Sequence, residues 1–377
     1  MNFERVAGIE KSLIRKMFEK ANDKSINLGI GMPFCKTAES VKNYAIEAIK
    51  NDKTFYTPNQ GVKELREEVA KKNSDELSLE LDSENVLITN GATQAIFTLM
   101  FSLLKPGDEV LIPDPGYPLY KTVAKMLKCN IKRYTLLLEN DFDLNVDETS
   151  QKVSTKTALI VLNSPNNPTG MLISKKSLEA IASLIKNEGT YVLSDEIYRG
   201  LNYEEPIPSI SSFLPLERLF VVSGVSKEFS MTGWRIGWII SSRYNISQIL
   251  KAHMHIISCI SEINQLAAVA ALKLKFQNIR DIMKFNRDFA VEKLSKIPRI
   301  KYKVPKGGLY IFINVSAYGN GEKIANLLLE NGNVITIPGI AFGEHGKDFI
   351  RISFGADLES LERGLDSMRR FFSYVTV

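Results

Sequence analysis

Short uncharged runs recur between residues 86 and 240, and most are followed by a turn and then by apolar residues at helical spacing. Residues 86–89, 110–113, 158–162 and 219–222 are brief, aliphatic or aromatic, and bounded by Asn, Gly or Pro, which predicts buried strands. After the first of them Ala95, Ile96, Leu99, Met100, Leu103 and Leu104 return every three or four positions, the stripe of a packed helix. Pro106 and Gly107 then stop it. The run at 158–162 has no polar alternation, as in a parallel sheet covered on both faces. Strand–helix alternation over 86–238 therefore predicts an α/β sheet.

The flanks follow a different pattern. Val6, Ile9, Leu13, Ile14, Met17 and Phe18 fall at helical spacing within residues 1–21, and Glu4, Glu10 and Glu19 argue against a signal or transit peptide. A helix is predicted at 41–50, and a long amphipathic helix at 277–297 that could join two domains. Glycine-punctuated strands are predicted at 305–312 and 334–343. Residues 349–354 place Arg351 inside an otherwise apolar strand. No apolar run approaches the length that crosses a membrane.

A chain of 377 residues is long enough for a large core and two domains. Its net charge of +5 comes from 48 basic and 43 acidic residues spread without blocks, so no nucleic-acid or membrane partner is expected. Cys35, Cys129 and Cys259 form no CxxC pair, which argues against a disulfide framework or a zinc site, and a reduced, cytoplasmic setting is expected. His253 and His255 are two apart on a predicted helix and face different directions, so no metal is expected there.

Several polar residues sit where polar residues are costly. Lys227 follows the strand at 219–222, and a lysine there is nucleophilic only if desolvation or a nearby cation lowers its pKa. Arg235 can supply that cation, and its planar fork suits a phosphate dianion. Taken alone, the pair reads more readily as a surface lysine and a structural arginine. Gly91-Ala92-Thr93 opens a helix directly after a strand, where free N–H groups and the helix dipole favour an anion; a simple cap at Asn90 or Thr93 fits the same residues. Asp195 ends a buried strand, an expensive place for a carboxylate without a cationic partner. Tyr198 lies on the same side if a helical turn follows. Arg351 needs a carboxylate, from the protein or from a ligand. No GxGxxG follows an early strand, which disfavours a nicotinamide enzyme.

The segment from Gly224 to Gly237, Gly-x-Ser-Lys-x-x-Ser-Met-x-Gly-x-Arg-Ile-Gly, resembles the cofactor-lysine signature of the class I aminotransferases that use pyridoxal 5′-phosphate (PLP). Asn-Pro-Thr-Gly at 167–170 and Asp-x-x-Tyr at 195–198 resemble further motifs of that family, in the family's order. The resemblance, which spans Gly31 to Arg351, implies a fold-type I enzyme. Its large domain, with a mostly parallel seven-stranded sheet, is expected at 42–280, and a smaller α+β domain is expected from 1–41 with 281–377. It implies that Lys227 forms the internal Schiff base, and that Arg235, Gly91, Ala92, Thr93 and Ser226 hold the cofactor around its phosphate. Tyr117 would stack on the ring, Asp195 would hold the ring nitrogen, and Asn167 and Tyr198 would reach the phenolic oxygen. Arg351 would clamp the substrate α-carboxylate, with Gly31 and Asn167 bordering the substrate. Tyr56 would reach the cofactor phosphate of a neighbouring subunit, so a homodimer is implied. Cis bonds are implied before Pro115 and Pro168. Met32 departs from the acidic residue the family commonly carries before Pro33.

The activity implied is transfer of an amino group from an L-amino acid to a 2-oxo acid, 2-oxoglutarate in the first instance, by a ping-pong mechanism. A carbon–sulfur β-lyase on the same fold shares these residues, and a non-catalytic PLP-fold regulatory protein is a remoter alternative. No second Arg or Lys is placed at the substrate's distal end, and Ile30, Phe34 and Phe342 point toward a neutral or aromatic donor.

Overall fold

The computed structural model describes residues 3–9, 11–185, 189–204, 207–274 and 278–374. Its centre is a seven-stranded sheet built from β2 (Val86–Thr89), β3 (Glu109–Asp114), β4 (Asn130–Thr135), β5 (Thr157–Asn163), β6 (Tyr191–Asp195), β7 (Leu219–Gly224) and β8 (Gly237–Ile240). The strand order is β2-β8-β7-β6-β5-β3-β4, and only β8 runs against its neighbours. The uninterrupted apolar strands are explained by the two layers that cover them. Ile160, Val192 and Val221 belong to one apolar core, and Leu159, Val161, Leu193 and Val222 to another on the opposite face. Because β2, β3, β5, β6 and β7 run in one direction, their carboxyl ends meet along one edge, where such sheets bind ligands.

A second layer comes from both ends of the chain. β1 (Ile26–Asn27) pairs in parallel with β10 (Val334–Ile335). Beside it lies a three-stranded antiparallel sheet of β11 (Ile337–Pro338), β12 (Phe349–Ser353) and β9 (Tyr310–Asn314). A helix at Leu358–Tyr374 packs its apolar face on this layer and against the helix Ile279–Leu294.

The amino-terminal helix is shorter than its periodicity predicts. Only α1 (Leu13–Glu19) forms, while residues 4–8 are in turns, and Met1, Asn2 and Glu10 lie outside the described residues. Ser12 marks the start; upstream of it Val6 is exposed, so that half of the stripe has no core to meet. Gln277, the predicted start of the later helix, also lies outside the described residues, and Ile279–Leu294 forms as expected. Cis bonds precede Pro115 and Pro168 as expected, and a third precedes Pro165. Among the described residues no helix is long and apolar enough to cross a membrane.

Candidate active site

At the carboxyl edge of the sheet the chain surrounds a cavity of about 290 Å3. Each strand end delivers one part of its lining. After β2 the chain turns at Asn90 into α4 (Gly91–Leu103), placing Ala92 and Thr93 at the cavity, and the Asn90 side chain makes no cap bond to the helix N-terminus. The first N–H groups are thus left without that side-chain partner. Gly91 stands behind Arg235, with φ +75, and a Cβ there would collide with the guanidinium. Arg235 donates to the carbonyls of Thr232 (2.9 Å) and Asn90 (3.3 Å), which fixes it beside the helix end. A guanidinium and a helix N-terminus converging on one point make an anion cradle.

After β3 comes Tyr117, whose ring lines the cavity at the start of α5 (Pro118–Met126). One turn later Tyr120 is wholly buried and donates to Asp195 Oδ2 at 2.6 Å, while Asp195 Oδ1 accepts from the Ile197 N–H at 3.2 Å. Burial pushes the Asp195 carboxyl up to about 6, even though these two hydrogen bonds pull it back. Among the described residues no cation forms an ion pair with this carboxylate, although Lys227 acts on it from a distance, and a protonated ring nitrogen would supply one.

Lys227 reaches the same cavity from the loop after β7, and its Nζ donates to the Gly31 carbonyl at 2.5 Å. Burial lowers its pKa from the ordinary lysine value, and the guanidiniums of Arg351 and Arg235 act in the same direction. Ser226 lines the cavity beside it.

Arg351, on β12, faces the cavity from the second layer and is 3 % exposed. It donates to Asn167 Oδ1 at 2.9 Å and to the Gly29 carbonyl at 2.6 Å, and its Nε has no partner. No described carboxylate pairs with it. Phe342 and Tyr310 cover the guanidinium, with ring centroids 4.8 and 4.1 Å from its carbon. Among the described residues no protein group accepts from the Asn167 side-chain amide, which leaves it free to donate to a ligand oxygen.

The structure thus brings Gly31, Ala92, Thr93, Tyr117 and Asn167 into one cavity with Asp195, Tyr198, Ser226, Lys227, Arg235 and Arg351. Tyr56 is not among its walls; it is 91 % exposed on the surface. Two residues escaped the reading of the sequence. Tyr120 could have been found from its spacing, one helical turn beyond Tyr117. Tyr310 carried no such signal: its hydroxyl hydrogen-bonds the Tyr198 hydroxyl at 2.8 Å, and a Cβ on Gly31 would overlap the Tyr310 hydroxyl, so Tyr310 requires glycine at 31 while the carbonyl of that residue serves Lys227. Of the three apolar candidates for the donor's surroundings, Ile30 lines the cavity, Phe342 lies on Arg351, and Phe34 does neither.

Comparison with known proteins agrees with this geometry. The family model described as aminotransferase class I and II matches residues 23–368. The chain belongs to that family. It is 37% identical to the aspartate aminotransferase of Pyrococcus horikoshii, over 97% of this chain and 96% of that one. It is 33% identical to aromatic-amino-acid aminotransferase 2 of Thermococcus litoralis, over 97% of each. The crystal structure of aspartate aminotransferase from Thermotoga maritima superposes with a TM-score of 0.93 at 32% identity, covering 99% of this chain and 100% of that one. The protein is an aminotransferase of the PLP-dependent type. Its cavity fits that cofactor: an anion cradle at Arg235, a lysine with a lowered pKa, and a buried carboxylate that no described cation pairs occupy one space.

Proposed function

We propose that the protein moves an amino group from a neutral, apolar or aromatic L-amino acid to a 2-oxo acid, 2-oxoglutarate in our reading, in two half-reactions at one cavity. The observation that carries this is Arg351, a buried guanidinium with no carboxylate partner, facing the space that holds Lys227. A bidentate α-carboxylate offsets the cost of that buried charge. Donor and acceptor share the α-carboxylate, so the same arginine serves both and the two substrates alternate.

Bound PLP supplies an electron sink conjugated with the substrate's α-carbon. The chain's own residues do the rest. Lys227 would carry the cofactor, and its Nζ, whose pKa burial lowers, would move the substrate's α-proton. Asp195, oriented by Tyr120, would hold the proton on the ring nitrogen. Tyr198 and Asn167 would donate to the phenolic oxygen, while Arg235 and the N-terminus of α4 would hold the phosphate.

The donor class follows from the apolar part of the lining. Ile14 and Phe18 of α1 and Ile30 belong to it, and the three cations of the cavity, Lys227, Arg235 and Arg351, all have other roles. The relatives' names include aspartate, aromatic amino acids and N-acetyl-LL-diaminopimelate, and among these the walls favour the aromatic class. We also propose that 42–280 and 1–41 with 281–377 are the two domains. A second copy would cover Phe55 and Tyr56, which are 77 % and 91 % exposed, and Tyr56 would complete that copy's phosphate site.

Absorbance spectra of the holoenzyme, recorded with single L-amino acids, test this. Conversion of the cofactor to its amine form with phenylalanine or leucine, faster than with aspartate, is expected. Pyruvate and ammonia released without a 2-oxo acid would overturn it.

A further inference from the structure

Behind the cavity a chain of charges runs through the residues that follow three of its functional groups. Lys227 is followed by Glu228, Asp195 by Glu196 and Tyr198 by Arg199. Glu228 pairs with Lys72 of α3 (Lys63–Leu77) at 3.0 Å, and Lys72 also bonds Glu76 one turn along that helix. Arg199 approaches the Glu76 carboxylate at 3.9 Å and donates to the Glu76 carbonyl at 2.8 Å. It closes the chain on Glu196 at 2.9 Å. Glu196 in turn accepts from the hydroxyls of Ser194 (2.9 Å) and Ser209 (2.7 Å).

Neighbouring side chains in these tight turns leave on opposite sides. The first faces the cofactor cavity, and the next faces this network. Glu228 reaches it because residue 200 is glycine, since a Cβ there would overlap the Glu228 carboxyl group. The loop that carries Lys227 is therefore pinned to the turn that carries Asp195 and Tyr198 by charge pairs, at a point one residue from each reacting group.

We propose that Glu228, Lys72, Glu76, Arg199 and Glu196 form a positioning brace that sets Lys227 Nζ against the groups held by Asp195 and Tyr198. This rests on the reading of Lys227 as the cofactor lysine. Lysine is long and flexible, and among the described residues its Nζ is held by one hydrogen bond, to Gly31, and a loose approach to the Tyr198 ring at 5.8 Å. A displacement of about 1 Å at a proton-transferring group can cost roughly a hundredfold in rate. Fixing the adjacent residue limits that displacement, whereas a purely structural network would support the fold without touching the rate of proton transfer.

The test is the rate of a single half-reaction, followed by cofactor absorbance in the holoenzyme with a saturating amino acid, for Lys72→Met, Lys72→Arg, Glu228→Gln and Gly200→Ala. Lys72→Met, Glu228→Gln and Gly200→Ala should each slow the step about tenfold, with the apparent amino-acid dissociation constant changed less than twofold. Lys72→Arg, which keeps the charge, should recover most of the rate. Gly200→Ala matters because it displaces the Glu228 carboxylate while keeping every charge. Lower melting temperatures with half-reaction rates within twofold of the parent would overturn the proposal. If one variant fails to fold, the Lys72→Met and Lys72→Arg contrast, at a partly buried position on the surface of α3, still decides it. Borohydride trapping of the cofactor on Lys227 is the separate control: its absence would sink the reading of the lysine and the brace with it, whereas trapping with unchanged half-reaction rates would overturn the brace alone.

Discussion

The cavity in front of the Lys227 loop and the network behind it use the same residue types in opposite ways. In front, Lys227, Arg235 and Arg351 make hydrogen bonds to carbonyls or to an amide oxygen, and among the described residues none forms an ion pair. Behind, Lys72 and Arg199 each meet two carboxylates. Desolvating a charge is costly on either side. Behind, protein carboxylates offset the cost permanently; in front, the offset is left to a phosphate, a ring and an α-carboxylate. Cations without anions around the cavity thus mark the ligand, and cations paired with anions behind it mark the frame.

The largest test of this contrast is Lys227→Ala, which should slow the half-reaction roughly a thousandfold or more while leaving the fold intact. Next is Arg351→Met. It should reduce kcat/KM for amino acids about a hundredfold, yet leave the cofactor-free chain as stable or more stable in denaturant melts, since an uncompensated buried charge is gone. A large loss of stability there would break the comparison. Arg199→Met should do the reverse in kind. It strands the Glu196 carboxylate and should cost about 3 kcal/mol of stability in the same melts.

A pH effect sharpens the picture further. The folded, cofactor-free chain keeps the Asp195 proton up to about pH 6, whereas an unfolded aspartate releases it near pH 3.9. Folded protein then binds more protons in that window, so stability should fall as pH rises through it, by about 2–3 kcal/mol for this group. Asp195→Asn should flatten that slope in melts recorded from pH 4 to 6. Smallest of all is Lys50→Ala, which removes an exposed pair with Glu47 and should change stability by less than about 0.5 kcal/mol.

Much of the site was legible because its parts are local. Strand, turn and helix start lie next to one another at 86–93, and Lys227 and Arg235 share one loop. Arg351 announced itself as a charge in an apolar strand, although the sequence left its partner open between a protein carboxylate and a ligand. Tyr310 and the brace were not legible. Tyr198 and Tyr310 are 112 positions apart and Lys72 and Glu228 are 156 apart, and no spacing rule links residues at such separations. The amino-terminal helix was over-read for the complementary reason: its stripe has helical period as far back as Val6, but a helix persists only where the core accepts that stripe.

By itself, then, the sequence determined the alternating α/β architecture, the order of the motifs and the chemical character of most groups at the cavity, because these depend on residue type and short-range spacing. Tertiary structure alone decided which charges are satisfied by protein and which are not. That follows from how strands order in the sheet and how the second layer closes over its edge, which sets Arg351 across from Lys227 and Glu228 against Lys72.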